Sequence, residues 1–445
     1  MLNPYHLQAQ ATFYLKTMGC QMNEHDSEVI TGILMSLGYV STDSVDEADL
    51  ILYNTCSVRE NPERKVYGQI ARFRALKAKK PNLIIGICGC MTQQKEELTA
   101  ILRKLPHVDL IFGTHNIHRL PELLERATSG DRVVEVWDEG QEIIEELPVR
   151  RSNTLKAFVN IIYGCTNFCT YCIVPYTRGK ERSRRPELIY DEIYQLAQAG
   201  YKEITLLGQN VNAYGRDLGL ENDFAQLLHE LNKVPDLSRI RFTTSHPKDM
   251  KDNLITAIAS LDKVCEHLHL PVQAGSNHVL KAMNRGYSRE YYLDLVARIK
   301  KAVPTISLTT DLIVGFPGES DEDFQETLSL VEEVGFSSSF TFLYSPRKGT
   351  PAAKMTAQVP EDIKKERIYR LIALQNDLSA KHMQTLLGQR LEVLVDGVAE
   401  QSGDLTGRTR TNKQVLFSGS SDLVGQTVNV IIKMAQTWIL RGELV

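Results

Sequence analysis

The chain has 445 residues, enough for about three domains of ordinary size, each able to bury its own core. A hydrophobic share of 42% and a charged share of 24% match soluble globular averages, which excludes a disordered chain and a small disulfide scaffold. The net charge of −4 conceals two basic blocks: residues 150–185 hold eight Lys or Arg against Glu181 alone, and residues 59–80 hold eight against Glu60 and Glu63, surfaces suited to an anionic partner.

From the N-terminus, apolar runs alternate with amphipathic patterns. ATFYLKT (11–17), LILYN (50–54), NLIIGIC (82–88) and VDLIF (108–112) read as strands. Helices are predicted near 24–37, after Asn61-Pro62, near 93–105 and near 116–128. Asn61 suits a helix cap and Pro62 a first helical position. Repeated βα units of this kind predict an open parallel sheet. An acidic stretch, Asp138 to Glu146, closed by Pro148, reads as a linker and puts a boundary near 148.

Beyond it, strands are predicted to begin near 155, 203, 239, 267, 306 and 336, with helical segments between them. Six such units make a partial or complete parallel barrel. Residues 361–387 have helical periodicity and stop at Gly388; from 390 onward short strands follow one another without a helix, as in a small closed β-barrel. The chain is therefore expected to be α/β, with an N-terminal open parallel-sheet domain (1–148), a central partial (β/α)6 barrel (149–386) and a C-terminal small β-barrel (387–445).

Nothing near the start has the apolar core of a signal peptide, and no run is long enough to span a bilayer. A cytoplasmic location and no membrane partner are expected. In that reducing compartment the eight cysteines read as metal ligands, redox groups or core residues rather than disulfides.

Cys165, Cys169 and Cys172 form a C-x3-C-x2-C loop directly after the first barrel strand, where barrel enzymes carry their chemistry. Three thiolates on one short loop can take three irons of a cubane and leave the fourth iron open. Structural zinc asks for four ligands, and Cys265, His267 and His269 are distant in sequence. Cys20, Cys56 and Cys90 each follow a predicted strand of the first domain, so all three face the carboxyl edge where open α/β sheets bind ligands. Core burial is the competing reading for any one of them. Cys88 belongs inside its strand and should pack, whereas Cys90 lies beyond Gly89; Cys265 reads as a buried thiol.

The C-x3-C-x2-C loop resembles the signature of the radical S-adenosylmethionine (SAM) superfamily. Together with GCQMNEHDSE, NTCSVRE and GCMTQQ around the other three cysteines, it makes nearly the whole chain resemble the methylthiotransferase family. That resemblance implies two [4Fe-4S] clusters, one on Cys165, Cys169 and Cys172 and one on Cys20, Cys56 and Cys90. It also implies a radical SAM core, a C-terminal barrel of the TRAM type, and SAM as both methyl donor and source of a 5′-deoxyadenosyl radical. Within the family, NTCSVRENPERKVYGQI and VPYTRGKERSR look most like the branch that methylthiolates C2 of N6-dimethylallyladenosine beside the anticodon of tRNA. Sister branches act on threonylcarbamoyladenosine in tRNA or on an aspartate of a ribosomal protein. A noncatalytic iron-sulfur RNA-binding protein is the rival from another class.

The resemblance assigns the loops GQNVNAYG, TSHP, PVQAGSN and DLIVGFPGES to SAM, with Gln209, Asn210, Gln273 and Ser276 as contacts; ordinary βα turns use the same residue types. Phosphate contacts are expected from Arg178, Lys180, Arg182 and Arg184 after the cysteine loop and from Arg408, Arg410 and Lys413 in the last barrel. A solvated basic turn is the plainer reading of the first group. The implied partners are tRNA, an electron-donor protein and a sulfur source, the last two of unidentified nature.

Overall fold

The computed structural model describes residues 10–57, 60–138, 140, 143–219 and 223–445, apart from the side chains of 60–65. The chain divides into two compact units. The first takes the chain up to Ser152 together with Tyr163–Thr166 and Cys172–Arg184; the second takes Asn153–Ile162, Asn167–Tyr171 and Arg185–Val445.

The first unit holds a parallel sheet in the order Val40–Ser41, Thr12–Thr17, Leu50–Thr55, Ile84–Gly89, Leu110–Phe112, Val133–Glu135. Strand periodicity sorts its side chains between two cores. Leu50, Leu52, Ile84 and Cys88 join Ile30, Leu34 and Leu123 from the helices Gln21–Ser36 and Leu120–Thr128. Ile51, Tyr53, Ile85 and Ile87 join Val66, Ile70 and Ile101 from the helices Glu60–Lys79 and Lys95–Lys104. Central strands covered on both sides are the reason the sequence runs apolar there without alternation. The second helix starts at Glu60, one residue before the expected cap Asn61, whose side chain lies outside the described residues. The segments Val40–Ser41 and Val133–Glu135 are too short to stand out as strands in the sequence.

In the second unit all six expected barrel strands form. Lys156–Asn160, Glu203–Leu207 and Arg239–Thr243 make one parallel sheet; His267–His269, Ser307–Val314 and Ser338–Leu343 make another. A single parallel bridge, Ile240 to Val264, lies between the two. Ala157, Val159, Ile204, Leu206, Ile240, Phe242, Leu268 and Leu312 pack into the helical layer, so the alternate residues line the other, concave face.

The helix Glu361–Gln384 leads to a closed barrel of Arg390–Val398, Leu405–Thr409, Gln414–Phe417, Ile439–Leu444 and Thr427–Ala435, around Val393, Val395, Val415, Val430 and Leu440. Two buried arginines and a half-buried lysine clamp this barrel to the core. Arg239 donates to Arg408 O at 2.6 Å and to Glu392 at 2.8 Å, Arg241 donates to Thr409 O and Arg410 O at 2.8 and 2.9 Å, and Lys156 pairs with Asp396.

Candidate active site

In the first unit three adjacent strands end in cysteine. Cys20 is the N-cap of the helix Gln21–Ser36, Cys56 follows Leu50–Thr55, and Cys90 follows Ile84–Gly89. The turn at Gly89 has φ +96, and a Cβ there would stand 2.4 Å from Thr55 O. Only glycine fits, and this turn takes Cys90 off the strand while Cys88 stays in the core at 1% exposure. Motif residues lock the edge beneath the thiols. Asn54 donates to Asn23 O and Ser27 Oγ, both at 2.9 Å; Asn23 donates to Asn54 Oδ1 at 3.2 Å; Gln94 donates to Ser57 Oγ at 2.7 Å.

The thiols feel one another. A hydrogen bond with Cys56 draws the Cys20 thiol down to about 6, against burial and with help from Arg178 and the helix amides. Burial pushes Cys90 up, and Arg178 opposes it. Arg178 itself is buried, donating from Nη2 to Asp26 Oδ2 at 2.6 Å and from Nε to Cys90 Sγ at 3.3 Å. Among the described residues no three His, Cys, Asp or Glu side chains converge on a point where one metal ion would sit. A cubane asks for something different, because each thiolate binds its own iron at a separate corner. Neighbouring thiols on three loops, one activated and one facing a buried cation, fit that requirement.

Of the other triplet, Cys165 and Cys172 fall in the first unit and Cys169 in the second. In the first, Gly164 has φ +80 with Lys180 O 2.1 Å from a would-be Cβ, and the amide of Cys165 donates to Gly179 O at 3.0 Å. In the second, Cys169 is buried, and Arg285 donates to its Sγ at 3.3 Å, to Tyr171 at 3.4 Å and to Pro271 O at 2.7 Å. Burial works against the Arg285 charge, but Tyr171, Tyr287 and Cys169 outweigh it, so the guanidinium stays protonated. Neither Arg285 nor Asp26 is visible as functional in the sequence, since both act through distant partners.

At the carboxyl ends of Glu203–Leu207 and Arg239–Thr243, the loops singled out for SAM gather buried polar atoms that lack a partner among the described residues: Asn210 Oδ1, Asn212 Oδ1, Thr244 Oγ1, Ser245 Oγ and His246 Nε2. Burial draws His246 down to about 2, aided by Arg285, and its Nδ1 accepts from the Lys248 amide. The neutral ring therefore offers Nε2–H as a donor. Buried polar atoms are ordinarily satisfied, and among the described residues these five are not. Asn210 holds Asp249 through Nδ2 at 2.6 Å, Gln209 is half-buried in the same loop, and Gln273 is buried at φ +76.

Ser276 also has partners within the fold. Its hydroxyl caps the helix Asn277–Ala282 and also bonds Asp323, so it is occupied inside the fold. Three of the residues expected to meet phosphate have partners inside the fold. Arg178 is held by Asp26 and Cys90, Arg184 pairs with Glu145 at 2.5 Å, and Arg410 grips Glu266 with bonds of 2.8 Å. Lys180 is exposed; Arg182, Arg408 and Lys413 are half-exposed.

A parallel half-barrel opening on a C-x3-C-x2-C loop defines a radical SAM enzyme, and residues 159–331 match the model of the radical SAM superfamily. Residues 12–113 match the uncharacterized protein family UPF0004, and 384–445 match the TRAM domain. Among solved structures, the radical SAM methyltransferase TsrM of Kitasatospora setae, with cobalamin and a [4Fe-4S] cluster bound, aligns with TM-score 0.57 over 77% of this chain and 74% of that one at 14% identity, a likeness of fold. Relatives much nearer in sequence include the tRNA-2-methylthio-N(6)-dimethylallyladenosine synthases of Bacillus licheniformis, 58% identical over 97% of this chain and 86% of the relative, and of Acetivibrio thermocellus, 55% identical over 97% and 91%. The chain belongs to this family of methylthiotransferases.

Proposed function

We propose that this enzyme adds a methylthio group to C2 of N6-dimethylallyladenosine next to the anticodon of tRNA, with one [4Fe-4S] cluster on Cys165, Cys169 and Cys172 and a second on Cys20, Cys56 and Cys90. The observation that carries the reading is the pair of cysteine triplets at strand ends, each with a buried guanidinium 3.3 Å from one sulfur. C2 of adenine bears an unactivated C–H bond, beyond the reach of side-chain acid-base catalysis. When bound, SAM and the clusters supply the radical, the methyl group and the site for sulfur.

The protein's own part is to position and to shield. Arg285 and Arg178 offset thiolate charge where water is excluded. Asn210, with Gln209 and Gln273 nearby in the loops, is assigned to SAM, joined by Asn212, Ser245 and His246, whose unpartnered atoms suit its amino, carboxylate and ribose groups. The concave face offers an aromatic surface to the target base: Phe340 is 56% exposed and packs edge-on against His269, which lies 3.5 Å from Asp311. Lys180, Arg182, Arg408 and Lys413, none of them fully buried, are assigned to tRNA phosphates. A boundary near 148 and another near 386 would separate the sulfur-handling, radical and RNA-binding parts. No helix of the described residues is long and apolar enough to cross a membrane; a substrate in tRNA is the reason for placing the enzyme in the cytoplasm.

Mass spectrometry of tRNA nucleosides from a strain lacking the activity tests the reading. Restoring the chain should restore 2-methylthio-N6-dimethylallyladenosine, and Cys165→Ala should not. Methylthiolation of threonylcarbamoyladenosine instead would refute the choice of base, and unchanged nucleosides would refute the function.

A further inference from the structure

Arg178 stands in a basic run six residues after Cys172, yet it is only 4% exposed. Asp26, which takes its Nη2, lies on the helix that begins at Cys20; Cys90, which takes its Nε, lies on the loop after Ile84–Gly89. One side chain thus ties together two of the three segments that carry Cys20, Cys56 and Cys90. The flanking residues are held as well. Thr114 Oγ1 donates to Thr177 O at 2.9 Å, and Gly179 O accepts the amide of Cys165 at 3.0 Å. A buried ion pair with Asp26 would not by itself require an N–H on sulfur. The same device recurs independently in the second unit, where Arg285 meets Cys169.

We propose that Arg178 is a positioning residue of the N-terminal three-cysteine site: anchored by Asp26, it orients the Cys90 thiolate and offsets its charge when that site carries a cluster. This rests on the reading of Cys20, Cys56 and Cys90 as cluster ligands. Hydrogen bonds to ligand sulfurs and nearby charge set both the hold on the metal and the cluster's potential. Lysine cannot replace the arginine fully, because a single ammonium lacks the fork that reaches a carboxylate and a sulfur together.

The test uses the full chain with Cys165, Cys169 and Cys172 changed to Ala, so that only the N-terminal site holds a cluster. Four readouts are taken for this parent and for Arg178→Gln, Arg178→Lys and Asp26→Asn: iron lost to a chelator, the electron paramagnetic resonance spectrum after one-electron reduction, the midpoint potential, and melting of the apo form. Arg178→Gln should release iron at about 10–100-fold lower chelator, and its potential should move negative, because a positive charge that favours the added electron is gone. Arg178→Lys should fall between parent and Gln, and Asp26→Asn should shift both readouts in the same direction by less. A mere structural brace predicts lowered apo melting with iron retention, spectrum and potential as in the parent, and that result overturns the proposal. If Arg178→Gln does not fold, Arg178→Lys decides by the same readouts. A parent that binds no iron overturns the cluster reading itself, and the role of Arg178 with it.

Discussion

Cys88 and Cys90 stand two residues apart, and the structure predicts opposite outcomes for their loss. Cys88→Ala removes one heavy atom from a core residue 1% exposed, packed in a cluster with Phe13, Leu52 and Leu110. The lost transfer energy and the partly relaxed cavity come to about 1 kcal/mol, which lowers a melting midpoint by about 2–4 °C in a unit of this size. SAM cleavage and methylthiolation should both continue. Cys90→Ala removes the same atom from a different setting, beyond the left-handed Gly89 and 3.3 Å from Arg178 Nε. The guanidinium keeps Asp26, so the stability loss is only about 1–3 kcal/mol for the acceptor it no longer has. The proposed N-terminal cluster, however, would lose its third ligand. Reductive SAM cleavage should survive while methylthiolated product disappears. Chromatography of 5′-deoxyadenosine, mass spectrometry of the nucleoside and a melt of each apo variant measure all three quantities. Full product from Cys90→Ala, or loss of product in a folded Cys88→Ala, would refute the assignment.

Three further outcomes follow from particular contacts. Arg367→Ala strips the cation from Glu319, a buried carboxylate 2.7 Å away that also accepts the Gly315 amide, and should cost about 3–5 kcal/mol near neutrality. Burial already raises Glu319 against the pull of Arg367, and loss of the cation raises it further; the deficit should open as pH climbs above the ordinary carboxylate range and shrink below it. A melting loss that is equal at pH 5 and pH 8, or not reduced by adding Glu319→Gln, contradicts this. Ser276→Ala should lose about 1 kcal/mol through the missing cap with an unchanged Kd for SAM; a tenfold weaker Kd in the folded variant restores Ser276 as a SAM contact. Burial draws Lys413 down to about 8, so its charge fades between pH 7 and 9. If it meets phosphate, tRNA affinity should fall across that interval and Lys413→Arg should flatten the fall, measured by filter binding at fixed salt. Identical profiles would remove Lys413 from the interface.

Local chemistry made much of this protein legible from the sequence. The βα rhythm, the short terminal strands and the three cysteines spaced on one loop are signals confined to windows of a few residues, where side-chain period and ligand spacing act directly. The N-terminal triplet was also within reach, because a cysteine just past a strand must lie at the carboxyl edge of a parallel sheet whatever the strand order. Strand order itself, with Thr12–Thr17 beside Leu50–Thr55 and that beside Ile84–Gly89, was decided by tertiary packing, and it makes Cys20, Cys56 and Cys90 neighbours. The basic run after Cys172 shows the limit most clearly. Arg178 and Arg184 carry the same charge in the sequence as Lys180, but only folding brings Asp26 and Glu145 to them. Arg178 and Asp26 are 152 positions apart. A charge that meets a carboxylate and a sulfur inside the fold no longer belongs to the surface, and no pattern along the chain distinguishes it from one that stays there. Ser276 teaches the same lesson at shorter range: its hydroxyl serves whichever donor and acceptor reach it, and here those are a helix terminus and Asp323.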